Sequence, residues 1–256
     1  MVKGRDYHIH TWYQRCGKWT MTVPAIIRRA EEMEMTSLAI TDHLNHFGQL
    51  DAFHYIKRDI QDLETTVDVY FGVELNFQSC DGEFAYNEEI HEQFGFEVVI
   101  GGVHSVYTDS ADHREVLDIQ HRHFMRTLEN PLLDVLVHPF WFPRRELEMH
   151  SEQWWQELIE TIPDDYIAEW ARASRENQCA IEVNACAIFY YGAVSDGFKR
   201  AYIEMLARLR DAGAIFSPGS DAHRIGRLHT HAYAEAILDA LGVPETQIFQ
   251  PRHRSS

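Results

Sequence analysis

Seven short runs rich in apolar and β-branched residues recur along this chain, each followed by a stretch of helical character. The runs are 7–10 (YHIH), 37–41 (SLAIT), 69–74 (VYFGVE), 97–101 (EVVIG), 133–137 (LDVLV), 180–184 (AIEVN) and 214–218 (AIFSP). Such runs, bounded by turn signals and separated by helices, predict βαβ units and a parallel sheet. At 256 residues the chain suits one α/β barrel. Seven units predict an α/β fold one unit short of the (β/α)8 barrel, with a doubly wound open sheet as the alternative. No repeat or Pro/Gly/Ser linker divides the chain, so one domain over 1–256 is expected.

The intervening helices are readable. Thr22 can cap a helix entered through Pro24, whose Ile26, Ile27, Ala30 and Met33 form one apolar stripe. Ala201, Met205, Leu206 and Leu209 form another before a stop at Ala212-Gly213. Residues 112–130 and 232–241 read similarly. Two connections are long, at about 75–97 and 139–177. Asp81-Gly82 in the first predicts a hairpin. The second should hold extra helices, with Trp154, Trp155 and Trp170 packed in the core or, as the alternative, lining a substrate cleft.

Barrel enzymes place their chemistry at the C-terminal ends of the strands. Here those ends carry His8-Ile-His10, Thr41-Asp42-His43, Gly72-Val73-Glu74, Gly101-Gly102-Val103-His104, His138-Pro139 and Gly219-Ser220-Asp221-Ala222-His223. Residues i and i+2 of a strand share a face, so His8 and His10 point the same way. A single strand-end histidine is more often structural; convergence at six of seven strands is a different matter. His46, His229 and His231 fall near the expected mouth. The remaining histidines (54, 91, 113, 121, 123, 150, 253) fall in helical or terminal segments and are expected at the surface.

Imidazoles with carboxylates and no thiolate set suit Zn, Mn or Fe rather than Ca. Eight candidates exceed the needs of one ion and suit two or three sharing a bridging carboxylate, an arrangement made for hydrolysis. The four cysteines form no C-x-x-C pair, and residues 1–7 lack the apolar core of a signal peptide. No apolar run approaches membrane length. Reduced thiols in a cytoplasmic protein are expected.

The ordered set H-x-H, T-D-H, G-V-E, G-G-V-H, H-P and G-S-D-A-H resembles the PHP (polymerase and histidinol phosphatase) family of metal-dependent phosphoesterases, whose fold is a distorted (β/α)7 barrel. The resemblance spans 7–223. It implies that His8, His10, Glu74 and Asp221 hold one ion, and that Glu74 bridges to a second held by His104 and His138. A third would take His43 and His223. Family members with three ions add a histidine after H-x-H; here the stretch is Gln14-Arg15-Cys16-Gly17-Lys18. Related sequences carry C-G-H there, so Lys18 is the substituted position and Cys16 is the open question.

The expected activity is a phosphomonoesterase acting on a small phosphorylated metabolite through a metal-bridging hydroxide, with Glu74, Asp221 and His223 as catalytic residues. Arg15, Lys18, Arg144, Arg145, Arg224 and Arg227 follow strand ends and could meet phosphate; Asn184 could orient substrate or a ligand. A phosphodiesterase or nuclease on short nucleotides is the alternative, and a non-catalytic metal-binding barrel is another. Amidohydrolases share the barrel and H-x-H but bring a strand-end lysine not found here. With 40 acidic against 23 basic residues, net charge −17, long nucleic acid is not an expected partner.

Overall fold

The computed structural model describes residues 3–190 and 194–251. The strands are β1 (Arg5–Ile9), β2 (Ser37–Ile40), β3 (His43–Leu44), β4 (Asp68–Asn76), β5 (Val98–Gly102), β6 (Val135–Val137), β7 (Ala180–Asn184) and β8 (Phe216–Gly219). All pairings are parallel and follow chain order, with the two-residue β3 set against β4. The first and last strands meet. Ile9 bridges Ala222, Asp221 N–H donates to the His8 carbonyl at 2.9 Å, and His10 N–H donates to the Ala222 carbonyl at 3.2 Å. Chain-order pairing with that seam excludes the doubly wound alternative: this is a (β/α)7 barrel, nearly closed.

Between the strands lie α1 (Val23–Glu32), α2 (Leu50–Gln61), α3 (Glu88–Phe94), α4 (His113–Leu128), α5 (Arg144–Leu147), α6 (Glu152–Glu160), α7 (Asp164–Asn177), α8 (Asp196–Asp211) and α9 (His231–Ala240). Thr22 caps α1 as expected, its hydroxyl accepting from Ala25 N–H. The second long connection does hold extra helices, α5 to α7. Trp155 and Trp170 are buried; Trp170 packs on Phe124 and Phe140 and donates its indole N–H to His121 Nδ1 at 3.0 Å. Trp154 is partly buried and stacks on His150.

Two expectations need correction. Residues 75–86 form no hairpin among the described residues. Asp81-Gly82 sits in a turn closed by Gly82 N–H on the Ser79 carbonyl, and Phe84 folds back to stack on Phe77 at 4.1 Å. Both sides of β4 are already taken by parallel neighbours, so no edge is free beside it for an antiparallel return. His123 is not a surface residue. It is buried, donates its Nδ1–H to the Ile119 carbonyl at 2.8 Å, and stacks on Tyr107. His253 lies outside the described residues.

Strand alternation sorts the side chains. Phe71, Val73, Leu75, Val99, Leu136, Ile181 and Val183 join the outer core beneath the helices. Tyr7, Tyr70, Val98, Ile100, Val135, Val137, Ala180 and Phe249 form a separate inner core. On β4 the inward series is therefore Tyr70, Gly72, Glu74: apolar low in the barrel, a carboxylate at its top. In β1 the register slips between Asp6 and Ile9. That irregularity lets Tyr7 join the inner core while His8 and His10 also face inward. No described helix is long and apolar enough to cross a membrane.

Candidate metal centre

Glu74 is the hub. Its carboxylate is fully buried, and five imidazoles surround it. On Oε1 lie His104 Nε2 at 3.0 Å and His138 Nε2 at 3.1 Å; on Oε2 lie His43 Nδ1 at 2.7 Å and the Nε2 atoms of His8 and His10 at 3.4 Å each. Asp221 Oδ1 sits across from it, 3.3 Å from His10 Nε2, 3.3 Å from His223 Nδ1 and 3.7 Å from His8 Nε2. All eight residues proposed from the sequence thus converge at one end of the barrel.

The fit to divalent ions rests on what these groups lack. His8 Nε2, both ring nitrogens of His10, His43 Nδ1 and Glu74 Oε2 are buried and, although they crowd one another, make no well-aligned hydrogen bond among the described residues. An unpartnered buried polar atom carries a desolvation penalty of about 1–3 kcal/mol, and several aimed at one another need a common partner. Divalent cations would supply it. Three donor groups emerge: His8–His10–Glu74, His43–Glu74–His104, and His10–Cys16–His43–His223. The partition implied by resemblance gave His43 to His223 alone; here His43 also stands against Glu74.

The electrostatics fit the same picture. Burial alone would push Glu74 up, but His43 and His8, with hydrogen bonds from His104 and His138, hold its carboxyl well below the usual range. Burial acts likewise on Asp221 and is outweighed by His8, His10 and His223. Both stay ionised, as ligands must. Burial, with His223 and His43 nearby, drives His10 well down, and burial with His138 lowers His104. Against burial, Glu182, Glu74 and Asp221 raise His8, and Glu74 raises His43.

A supporting shell was only partly read from sequence. Glu182 was passed over as part of a strand, yet its buried Oε1 pairs with His8 Nδ1 at 2.7 Å and its Oε2 accepts from His138 N–H at 2.6 Å. This is the partner that fixes which His8 nitrogen faces the centre. The available signal was the i, i+2 pair Glu182 and Asn184 on an inward strand face. Gly219 makes room for it: a Cβ there would stand 1.8 Å from Glu182 Oε1. Asn184 donates to Glu182 Oε2 at 3.2 Å and Asp221 Oδ2 at 3.4 Å, and its own oxygen accepts from Ala187 N–H. Asp42 accepts from both the N–H and the hydroxyl of Thr11 at 2.5 Å, bracing the loop after His10. Two of the candidate ligand residues, His138 (φ 30°) and Asp221 (φ 54°), adopt left-handed backbone, strain of the kind found at functional sites.

The candidate phosphate-binding cations are more scattered. Lys18 is exposed, while its N–H donates to the His223 carbonyl at 2.9 Å. Arg15 is exposed beside it, with φ 61°. Arg224 is exposed immediately after His223, and Arg227 lies over the Tyr190 ring at 4.2 Å. Arg144 and Arg145 are exposed on α5, paired with Glu148 and Glu146. Glu146 anchors that helix to Ser105 Oγ and Val106 N–H, just past His104. Trp141, which the sequence did not mark, stands 5.4 Å from the His138 ring and 5.9 Å from His104. Of the other histidines expected at the mouth, His229 lies against Tyr190 and Tyr233, and His231 is buried on the Leu228 carbonyl.

The PHP domain family matches residues 6–186, the greater part of the chain. The chain belongs to the PHP family. Among PHP relatives, a Tolumonas auensis protein named "probable phosphatase" is 25% identical over 245 residues, covering 95% of this chain and 87% of its own length. Escherichia coli K12 "probable phosphatase YcdX" is 23% identical, with 95% and 88% covered. A Listeria monocytogenes structure described as the "putative histidinol phosphatase hisK" superposes with a TM-score of 0.58 over 87% of this chain and 96% of its own, at 11% identity. That last likeness supports the fold. The family and its relatives together support a phosphatase at the general level.

Proposed function

We propose that this PHP chain is a metal-dependent phosphomonoesterase acting on a small phosphorylated metabolite, using two or three divalent ions of Zn, Mn or Fe type. The observation that carries the reading is Glu74, a fully buried carboxylate with imidazoles on both oxygens. A carboxylate so surrounded is suited to bridging. His8, His10 and Asp221 would hold one ion, and His104 and His138 another. Bound ions of this kind lower the pKa of water towards neutrality and clamp the oxygens of an in-line phosphoryl displacement.

The protein's own residues do the rest. Glu182 fixes the His8 tautomer and the His138 backbone, and Asn184 ties that carboxylate to Asp221. His223 has the most exposed side chain of the eight, at 31%, so substrate would meet it from the solvent side. Arg15, Lys18 and Arg224, in the two loops joined by the Lys18–His223 hydrogen bond, offer the positive charge a phosphate needs in a chain of net charge −17. The Trp141 ring forms an apolar wall beside His104 and His138. The four cysteines form no disulfide among the described residues, which supports placing the protein in the reducing cytoplasm.

The test is phosphate release from a nitrophenyl monoester against a bis-nitrophenyl diester, with Mn, Zn or Fe added to purified protein. Preference for the monoester supports the proposal. Preference for the diester would move the assignment to the nucleotide-trimming alternative, and turnover of neither, nor of a panel of phosphorylated metabolites, would leave a non-catalytic barrel.

A further inference from the structure

The stretch after His8-Ile-His10 departs from the family pattern, and the structure shows what replaces it. Thr11 anchors the loop through Asp42; Arg15 N–H donates to the Trp12 carbonyl at 2.8 Å and Gly17 N–H to the Thr11 carbonyl at 3.2 Å. Gly17 is required for that close return, since a Cβ there would stand 2.5 Å from the Thr11 carbonyl oxygen. Lys18, at the position where related sequences place histidine, is exposed and meets His223 through its backbone N–H. The side chain that turns inward is Cys16. Its thiol lies within hydrogen-bonding reach of His223 and 3.7 Å from the Thr11 carbonyl.

Four donors gather there: Cys16 Sγ and one nitrogen each from His10, His43 and His223, all within 4.8 Å of one another. The rings are stacked rather than hydrogen-bonded to each other, His10 on His223 at 4.1 Å and on His43 at 4.5 Å. His10 is fully buried with neither ring nitrogen hydrogen-bonded among the described residues, and His43 Nδ1 faces only the Glu74 carboxylate, at 2.7 Å from Oε2. The orphaned His10 nitrogens point to a cation independently of the cysteine.

We propose that Cys16 is a metal ligand, giving this chain a third ion site of mixed nitrogen and sulfur character formed by Cys16, His43 and His223 beside His10. The inference rests on the metal-centre reading above and deepens it. On binding, the Cys16 S–H bond is replaced by a sulfur–metal bond, the proton leaves to solvent, and no oxidation state changes. Thiolate with imidazole favours tetrahedral Zn and its cobalt analogue over the hard, oxygen-seeking cations. This one position would therefore be softer than the pair around Glu74 and Asp221, where carboxylate oxygens join the imidazoles and no sulfur is present.

Cobalt substitution of the full chain tests it. Cobalt bound by a thiolate shows an intense near-ultraviolet charge-transfer band that imidazole and carboxylate ligands do not give. Wild type should show the band, and Cys80→Ser should keep it. Cys16→Ser should lose the band and one equivalent of cobalt per chain while retaining the other cobalt. Cys16→His should recover the equivalent without the band, and it decides the matter if Cys16→Ser does not fold by circular dichroism. Full cobalt loading without the band, a band that survives Cys16→Ser, or Cys16→Ser retaining every equivalent would overturn the assignment and leave the two-ion reading standing. A wild type that takes up no cobalt, zinc or manganese would overturn both.

Discussion

The two ends of the barrel interior are built from the same strands and obey the same alternation, yet they hold opposite chemistry. Low in the barrel, Tyr7, Tyr70, Val98, Val135 and Ala180 pack with Phe249, whose ring meets Tyr7 edge-on at 5.4 Å. One or two inward positions further along, the same strands present His8, His10, Glu74, Glu182 and Asn184, all buried. The apolar end lowers free energy by removing hydrocarbon from water. The polar end raises it, by crowding carboxylates and imidazoles, several of whose buried atoms, such as both ring nitrogens of His10, make no hydrogen bond among the described residues. One end holds the barrel together so that the other can keep unsatisfied donors facing one another.

That division can be broken at several points. Glu74→Gln should have the largest effect on the chemistry, because one carboxylate faces five imidazoles. Phosphatase activity should fall by more than the roughly 100-fold typical of changes behind the ligands, with bound metal falling in parallel by elemental analysis. Glu182→Gln leaves every proposed ligand in place but weakens the grip on His8 and His138. Metal affinity or activity should drop by about 10- to 100-fold. Gly219→Ala should move in the same direction, since its Cβ would displace Glu182. If Glu182→Gln matched Glu74→Gln, the distinction between ligand and support would fail.

Phe249→Ala probes the opposite end. Truncating this buried ring should destabilise the fold by about 3–5 kcal/mol in denaturant titrations, while metal content per folded chain stays unchanged. A selective loss of metal would show that the ends are not separable. Smallest is Thr22→Ala, which removes the cap of α1 and should reduce stability by about 1 kcal/mol with activity unaffected.

Much of this was legible in the chain because the determinants were local. The seven runs became strands because β-branched runs between turn signals leave few alternatives, and the strand-end residues carried their own positions. What depended on distant partners was not legible. Residues 75–86 look like a hairpin until β4 is seen to have both edges occupied. His123 looks peripheral in a helix until Tyr107 covers it. Glu182 reads as an ordinary strand residue until His8, 174 positions earlier, closes on it at 2.7 Å. Lys18 carried a departure from pattern two residues after Cys16, and only the return of that loop onto Thr11 and His223 showed which side chain turns inward.

The central claim is that the eight converging residues hold divalent ions on which phosphate-ester hydrolysis depends. The direct measurement is elemental analysis of the purified chain beside its phosphatase activity, before chelation, after it, and after return of Mn, Zn or Fe. The account predicts at least two ions per chain, loss of both metal and activity on chelation, and recovery of both on reconstitution. A chain that hydrolyses phosphate esters undiminished after its metal has been removed would contradict it.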